Sequence, residues 1–110
     1  MTIQEIVEQL GLKVLAGEES LDREVSGGYV ADLLSCVMAG AREGSLWFTL
    51  QTHLNIVAVA SLLDVAGIVV TEGASVTPET VEKAQEEGVV LLSSELPTFE
   101  TIRELVQLGF

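Results

Sequence analysis

Short apolar runs that alternate with helical segments constrain the fold of this chain more than any other feature. From about residue 45 onwards, continuous apolar stretches of strand length are separated by segments of helical length, and the connections are short. Uninterrupted apolar strands are typical of a parallel sheet that is buried on both faces by helices. The pattern therefore predicts a single α/β domain over residues 1–110. The predicted strands are 13–16, 25–30, 46–50, 68–71 and 89–92.

Local signals place several helices. Thr2 and Glu5 have the spacing of a capping box, and Gly11 stops the helix that follows them. The dipeptide Thr77-Pro78 starts a helix with proline at its first position. A last helix opens at Pro97. The predicted apolar face of this last helix is Phe99, Ile102, Leu105 and Val106.

A polar corner follows the strand 46–50, where the chain turns into the next helix. In parallel α/β sheets, ligands bind where strands end and helix N-termini point at them. The loops 49–55, 71–75 and 93–95 are expected to cluster at that edge. A ligand site is one hypothesis for the corner; the other is that Thr52 is an N-cap and His53 a solvated residue of the first turn. The polar residues of the corner are Gln51, Thr52, His53 and Asn55.

A pair of glycines, Gly27 and Gly28, lies inside the predicted strand 25–30, and Asp32 follows it. Glycine within a strand is costly unless the backbone bends or something approaches it closely. Two interpretations are open: a β-bulge followed by an Asp32 N-cap, or a glycine pair that faces a ligand. The chain has neither a dinucleotide fingerprint nor a phosphate-binding loop ending in Gly-Lys-Ser/Thr, which excludes phosphoryl transfer by that route.

The charge balance restricts the partners. With a net charge of −12, the chain repels a phosphate backbone, and no nucleic-acid partner is expected. Backbone N–H groups at the start of a helix remain able to bind a small anion. No apolar run approaches the roughly 20 residues of a membrane helix, and Met1–Glu5 does not resemble a signal peptide, so a cytoplasmic protein is expected. The mean hydropathy of +0.46 is high for a soluble domain. Part of the apolar surface is therefore expected to meet another chain, most simply in a homodimer.

Catalysis and metal binding find little support in the residue types. The single Cys36 excludes an internal disulfide and a cysteine-rich metal site, and its apolar neighbours predict a small buried hydrophobe. An enzyme would have to use His53 with Asp32 or Asp22 as an acid–base pair. Because there is one histidine and no nucleophile beside a base, we predict no catalytic residue, no metal and no cofactor.

Several stretches together resemble the DRTGG domain: Asp22-Arg23, Ser26–Val30, Asp32–Ser35, Trp47–His53, Asn55 and Ala58–Ala60. The similarity continues through the apolar strands and covers nearly the whole chain, although Ser26 stands where a threonine is expected. The resemblance implies a three-layer α/β sandwich, similar to the N-terminal domain of HPr kinase/phosphorylase and to the N-terminal domains of some Mur ligases that bind a uridine nucleotide. It also implies a regulatory, ligand-sensing, dimeric module without an activity of its own.

The matched positions define the expected ligand site, which has eight residues. The leading hypothesis is a non-catalytic homodimer that binds a small anionic, nucleotide-like ligand at the loops that follow the strands. The alternative is a ligand-free interaction or dimerisation module, in which the apolar helix 54–63 forms the dimer core. The predicted site residues are Gly27, Gly28, Asp32, Thr49, Gln51, Thr52, His53 and Asn55.

Overall fold

A five-stranded sheet flanked by helices forms the molecule, and the computed structural model describes every residue from Met1 to Phe110. The strands are β1 (Lys13–Ala16), β2 (Gly27–Val30), β3 (Ser45–Thr49), β4 (Gly67–Val70) and β5 (Leu91–Ser93). The helices are α1 (Ile3–Leu10), α2 (Leu34–Gly40), α3 (Asn55–Leu63), α4 (Pro78–Glu87) and α5 (Thr98–Gln107). A short 3-10 turn, Glu18–Ser20, follows β1.

The sheet has the strand order β1-β5-β4-β3-β2. Strands β2 to β5 are parallel, and β1 joins the edge antiparallel to β5. The register shifts between Val14 and Ala16, so Leu15 lies at an irregularity of this edge strand. The prediction of an α/β fold with a mostly parallel sheet is confirmed.

Two hydrophobic cores, one on each face of the sheet, account for the strand sequences. On one face, α2, α3 and α4 cover a core that contains Trp47 and Ile68. On the other face, α1 and α5 cover a core that contains Leu46 and Phe48. Successive residues of β3 thus point to opposite cores, which is why its three middle residues, Leu46–Phe48, are all apolar.

Two helices begin at the caps that the sequence predicts. The Oγ1 of Thr2 accepts a hydrogen bond from the Glu5 N–H at 3.2 Å, and the Glu5 carboxylate accepts one from the Thr2 N–H at 3.1 Å. The Oγ1 of Thr77 accepts from the Thr80 N–H at 3.3 Å, with Pro78 at the first position of α4. Both caps depend only on local spacing, which the sequence contains.

The structure contradicts two other caps and a bulge, which were among the interpretations that the sequence left open. Leu54, not Thr52, occupies the N-cap position of α3, and Leu33, not Asp32, occupies that of α2. In both cases the predicted residue bonds to a distant segment instead. Gly27 and Gly28 pair with Ser45 and Leu46 of β3 in regular register, so no bulge interrupts β2.

Several apolar side chains that were predicted to be buried are exposed. Cys36 is exposed because α2 lies at the border of the helical layer, where only Val37 is buried. On α5, Leu105 is buried, but Phe99 is 73% exposed and Val106 is 54% exposed. The buried side of α5 faces the sheet over β3, and the flank that carries Phe99 and Val106 has no neighbouring element to cover it.

Candidate functional site

The carboxyl ends of β2, β3, β4 and β5 lie at one edge of the sheet because these strands are parallel. The loops that follow them are joined there by direct contacts. The hydroxyls of Thr71 and Thr98 lie 2.6 Å apart, and the Glu72 N–H donates to the Leu96 carbonyl at 2.9 Å. The Glu72 carboxylate also accepts from the Thr98 N–H at 2.5 Å, at the first turn of α5. The expectation that these loops cluster at one edge is confirmed.

Three of the predicted site residues bond to one another at this edge. The Asp32 carboxylate accepts hydrogen bonds from the Thr49 hydroxyl at 2.9 Å and from the Leu50 N–H at 2.7 Å. The Gln51 amide donates to the Asp32 carbonyl at 3.0 Å, and the Gln51 N–H donates to the Thr49 hydroxyl at 3.1 Å. This network ties the loop after β2 to the end of β3. Its members position the corner by bonding to one another and to the backbone.

The next residues leave their donors free. Of residues 52–55, no backbone N–H donates a hydrogen bond within the chain. His53, Leu54 and Asn55 are exposed, whereas the Thr52 carbonyl is held by the Thr80 hydroxyl at 2.8 Å. Free N–H groups at the start of a helix carry partial positive charge and bind anions. The corner therefore offers backbone donors together with the imidazole of His53 and the amide of Asn55.

On one side of the corner, the surface forms a shallow depression lined by acidic side chains. A depression of about 180 Å³ lies beside Leu54, between α3 and α4. Its other lining residues are Glu79, Glu82, Lys83 and Glu86. An anion at residues 52–55 would therefore bind on the side of His53 and Asn55, away from the carboxylates of α4.

The glycine pair lies at the other end of the parallel strands, where β2 and β3 begin. Gly27 and Gly28 pair with the first residues of β3, whereas Thr49 ends that strand, so the two sets are about 10 Å or more apart. The glycines line a separate cavity of about 160 Å³ together with Arg42. A side chain at Gly27 would meet no atom within 4 Å. Internal packing therefore does not require glycine at this position.

A larger cavity of about 270 Å³ also lies at the amino ends of the parallel strands. It lies beside an ion pair that links two segments distant in sequence. The Arg23 guanidinium donates to the Asp64 carboxylate at 2.9 Å and to the Asp64 carbonyl at 2.8 Å. Asp64 has a φ of 53° and ends α3. Arg23 thus satisfies carbonyl groups that the end of α3 leaves without helical partners. The sequence gives no sign of this pairing, because 41 positions separate the two residues.

The pH dependence of stability should report this ion pair. The hydrogen bond from Arg23 holds the pKa of Asp64 below its ordinary value of 3.8. The stabilisation is therefore complete above that pH and is lost as the pH falls through the lower pKa of the folded state. We expect Asp64→Asn to destabilise the protein more at pH 7 than at pH 3, as measured by urea denaturation. Asp22→Asn, in the same cavity, is the control; an equal pH dependence of the two variants would contradict the assignment.

The acid–base pairs considered for an enzyme are not formed. Asp22 lines the cavity at the amino ends of the parallel strands, whereas His53 lies at their carboxyl ends. Asp32 bonds to Thr49 and Leu50, and no hydrogen bond joins it to His53. No group of three or more histidine, cysteine, aspartate or glutamate side chains has the arrangement of a metal site. None of the helices combines the length and apolarity needed to span a bilayer.

In a comparison with protein families, the model of the DRTGG domain matches residues 5–108. No curated protein matches the chain. Among solved structures, the chain is similar to the CBS and DRTGG domains of the regulatory region of a Clostridium perfringens pyrophosphatase in complex with its activator, diadenosine tetraphosphate. The TM-score is 0.77 at 20% sequence identity, over 96% of this chain and 46% of that one. The chain thus spans less than half of that structure, and the likeness concerns the fold.

Proposed function

Because this chain belongs to the DRTGG domain family, we propose that it is a non-catalytic regulatory module that binds a small anionic, nucleotide-like ligand as a homodimer. The site lies at the carboxyl edge of the parallel strands, around residues 49–55. The observation that carries the proposal is the run of free backbone N–H groups at residues 52–55 beside exposed His53 and Asn55.

The residues of the site have different roles in this proposal. Asp32, Thr49 and Gln51 are positioning residues, since their hydrogen bonds fix the loop that carries the donors. The N–H groups of Thr52 and its neighbours bind the anionic group of the ligand. The side chains of His53 and Asn55 form hydrogen bonds with its other polar groups. That the regulatory region of the Clostridium perfringens pyrophosphatase binds a dinucleotide activator supports a nucleotide as the first ligand to test.

The dimer in this proposal forms through the face of the sheet that carries β2 and α5. The helices α1 and α5 leave Gly28 and Val30 of β2 exposed, and the same side of the sheet carries exposed Phe99 and Val106. Apolar residues that are exposed together on one face favour a binding surface there. Arg103 of α5 is exposed and makes no ion pair within the chain. A second copy, which is rich in carboxylates, supplies partners for it.

A dimer also offers a place for the glycine pair. In a two-fold dimer the same patch meets itself, and β2 strands that cross the axis run in opposite directions. The start of β2 in one copy then lies towards the end of β2 in the other. Gly27 and Gly28 would thereby approach the partner's polar corner, which one chain alone does not allow.

Replacing Leu54 by proline tests the donor site directly. Leu54 has a φ of −65°, which proline adopts, and its N–H makes no hydrogen bond within the chain. The substitution therefore removes one donor to the anion at no cost in internal bonds. We expect Leu54→Pro to weaken binding of diadenosine tetraphosphate or ATP by about tenfold or more, since a hydrogen bond to a charged group is worth about 1.5 kcal/mol or more.

The matched control is Leu54→Ala, which removes the same exposed side chain but keeps the N–H. Isothermal titration calorimetry with each nucleotide and with inorganic phosphate compares the two variants. If both variants bind like the unmodified chain, the anion binds elsewhere; a loss with Arg42→Ala would then place it in the cavity of the glycine pair. If no nucleotide or phosphate binds the unmodified chain, the ligand-sensing proposal fails.

A further inference from the structure

An open groove of about 640 Å³ lies between β1 and α4, at the sheet edge opposite to β2. Leu15, Val76, Pro78 and Val81 form its apolar part. Leu15, Val76 and Val81 pack against the core under α4 and are only partly buried. The irregularity of β1 occurs at Leu15, and irregularities of this kind re-aim a side chain at a sheet edge. The groove thus offers apolar side chains beside the free edge of an outer strand.

Acidic side chains border the groove. Glu82 and Glu86 line it, one helical turn apart on α4, and neither is paired with a cation. Lys83 of the same helix is already held by Glu87 at 3.0 Å, and that ion pair raises the pKa of Lys83. Of the other basic residues, Lys13 is the one that is close in sequence to a groove residue, two positions before Leu15 on β1. Two adjacent negative charges therefore accompany the apolar surface.

We propose that this groove binds a basic amphipathic segment of a partner protein, whose apolar side chains contact Leu15, Val76 and Val81 and whose cations pair with Glu82 and Glu86. The apolar side chains of the groove lie away from the β2–α5 face, whereas Glu82 and Glu86 also line the depression beside Leu54. The inference requires neither a bound ligand nor the dimer. Through this groove the module would contact a second protein.

A second copy of this chain does not fit the groove. The chain has 5 basic residues against 17 acidic ones. The basic residues are widely spaced, so no two of them share one helical turn or one short strand. They are Lys13, Arg23, Arg42, Lys83 and Arg103. No segment of this chain therefore presents two cations to Glu82 and Glu86, and like charges would oppose each other.

Binding of a defined peptide tests the inference. The probe is a fluorescein-labelled helical peptide of 18 leucine and lysine residues (about five turns), with leucine along one face. Fluorescence anisotropy gives its Kd at physiological salt, where screening suppresses distant charges. We expect Glu82→Gln with Glu86→Gln to weaken binding about tenfold, because both cation partners are removed. A peptide with serine in place of leucine should not bind measurably.

The matched control is Glu8→Gln with Glu43→Gln, which removes the same charge from exposed positions outside the groove. We expect it to change the Kd by less than about twofold. An equal loss in both double variants, or equal binding of the serine peptide, would overturn the inference in favour of unspecific charge attraction. A change in the dimer dissociation constant of the Glu82/Glu86 variant, measured by sedimentation, would instead assign the groove to a second copy and would also overturn it.

Discussion

Gly17→Ala is expected to lower the free energy of unfolding by about 3 kcal/mol or more, because it combines backbone strain with a backbone clash. Gly17 lies directly after β1 with a φ of 84°. A Cβ atom there would lie 2.6 Å from the Cα of Val90 and 2.8 Å from the carbonyl oxygen of Val89. These are backbone atoms next to β5, and they cannot move aside without disturbing the pairing of β1 with β5.

The control for this prediction is Gly11→Ala. Gly11 has a φ of 66°, so alanine is strained there to a similar degree, but a Cβ atom would meet nothing within 4 Å. We expect a loss of only about 1 kcal/mol, which is the cost of the backbone conformation alone. Urea denaturation of the two variants separates strain from clash. A loss at Gly17 no larger than that at Gly11 would contradict the close approach of the backbones.

Phe99→Asp is expected to dissociate the proposed homodimer, raising its dissociation constant about a hundredfold or more. Phe99 is the most exposed large apolar side chain, at 73%, and it lies on the proposed interface with Val106. Central aromatic residues contribute 2 kcal/mol or more to many interfaces, and a buried unpaired carboxylate adds a desolvation penalty. Because Phe99 packs in neither core, the fold of the protomer should be unaffected.

Leu62→Asp is the matched control. Leu62 is 70% exposed and lies on α3, on the opposite face of the sheet. Sedimentation equilibrium, with circular dichroism to check the fold, should find Leu62→Asp dimeric and Phe99→Asp monomeric. The reverse result would favour the alternative in which α3 forms the dimer core. A monomeric unmodified chain would reject the homodimer.

The sequence by itself determined the features that depend on neighbouring residues. The caps at Thr2 and Thr77 need only a hydroxyl at the correct spacing, and the continuous apolar run of β3 needs only burial on both faces. The order of strands and helices follows from the same local patterns. Parallel strands then bring their following loops to one edge, so the polar corner at residues 51–55 was accessible without the structure.

Only the tertiary structure decided which distant groups meet. The sequence left Asp32 open as an N-cap or as a member of a ligand site. Its carboxylate accepts from a hydroxyl and an N–H at the end of β3, because the parallel register puts them beside it. Arg23 reaches Asp64 across 41 positions, which no local pattern encodes. Because β2 runs parallel to β3, its first residues, Gly27 and Gly28, pair with the start of β3 and lie far from the polar corner at its end. The exposure of Phe99 likewise depends on the packing of the layers. Only α1 and α5 cover this face of the sheet, and no further element covers the side of α5 that carries Phe99.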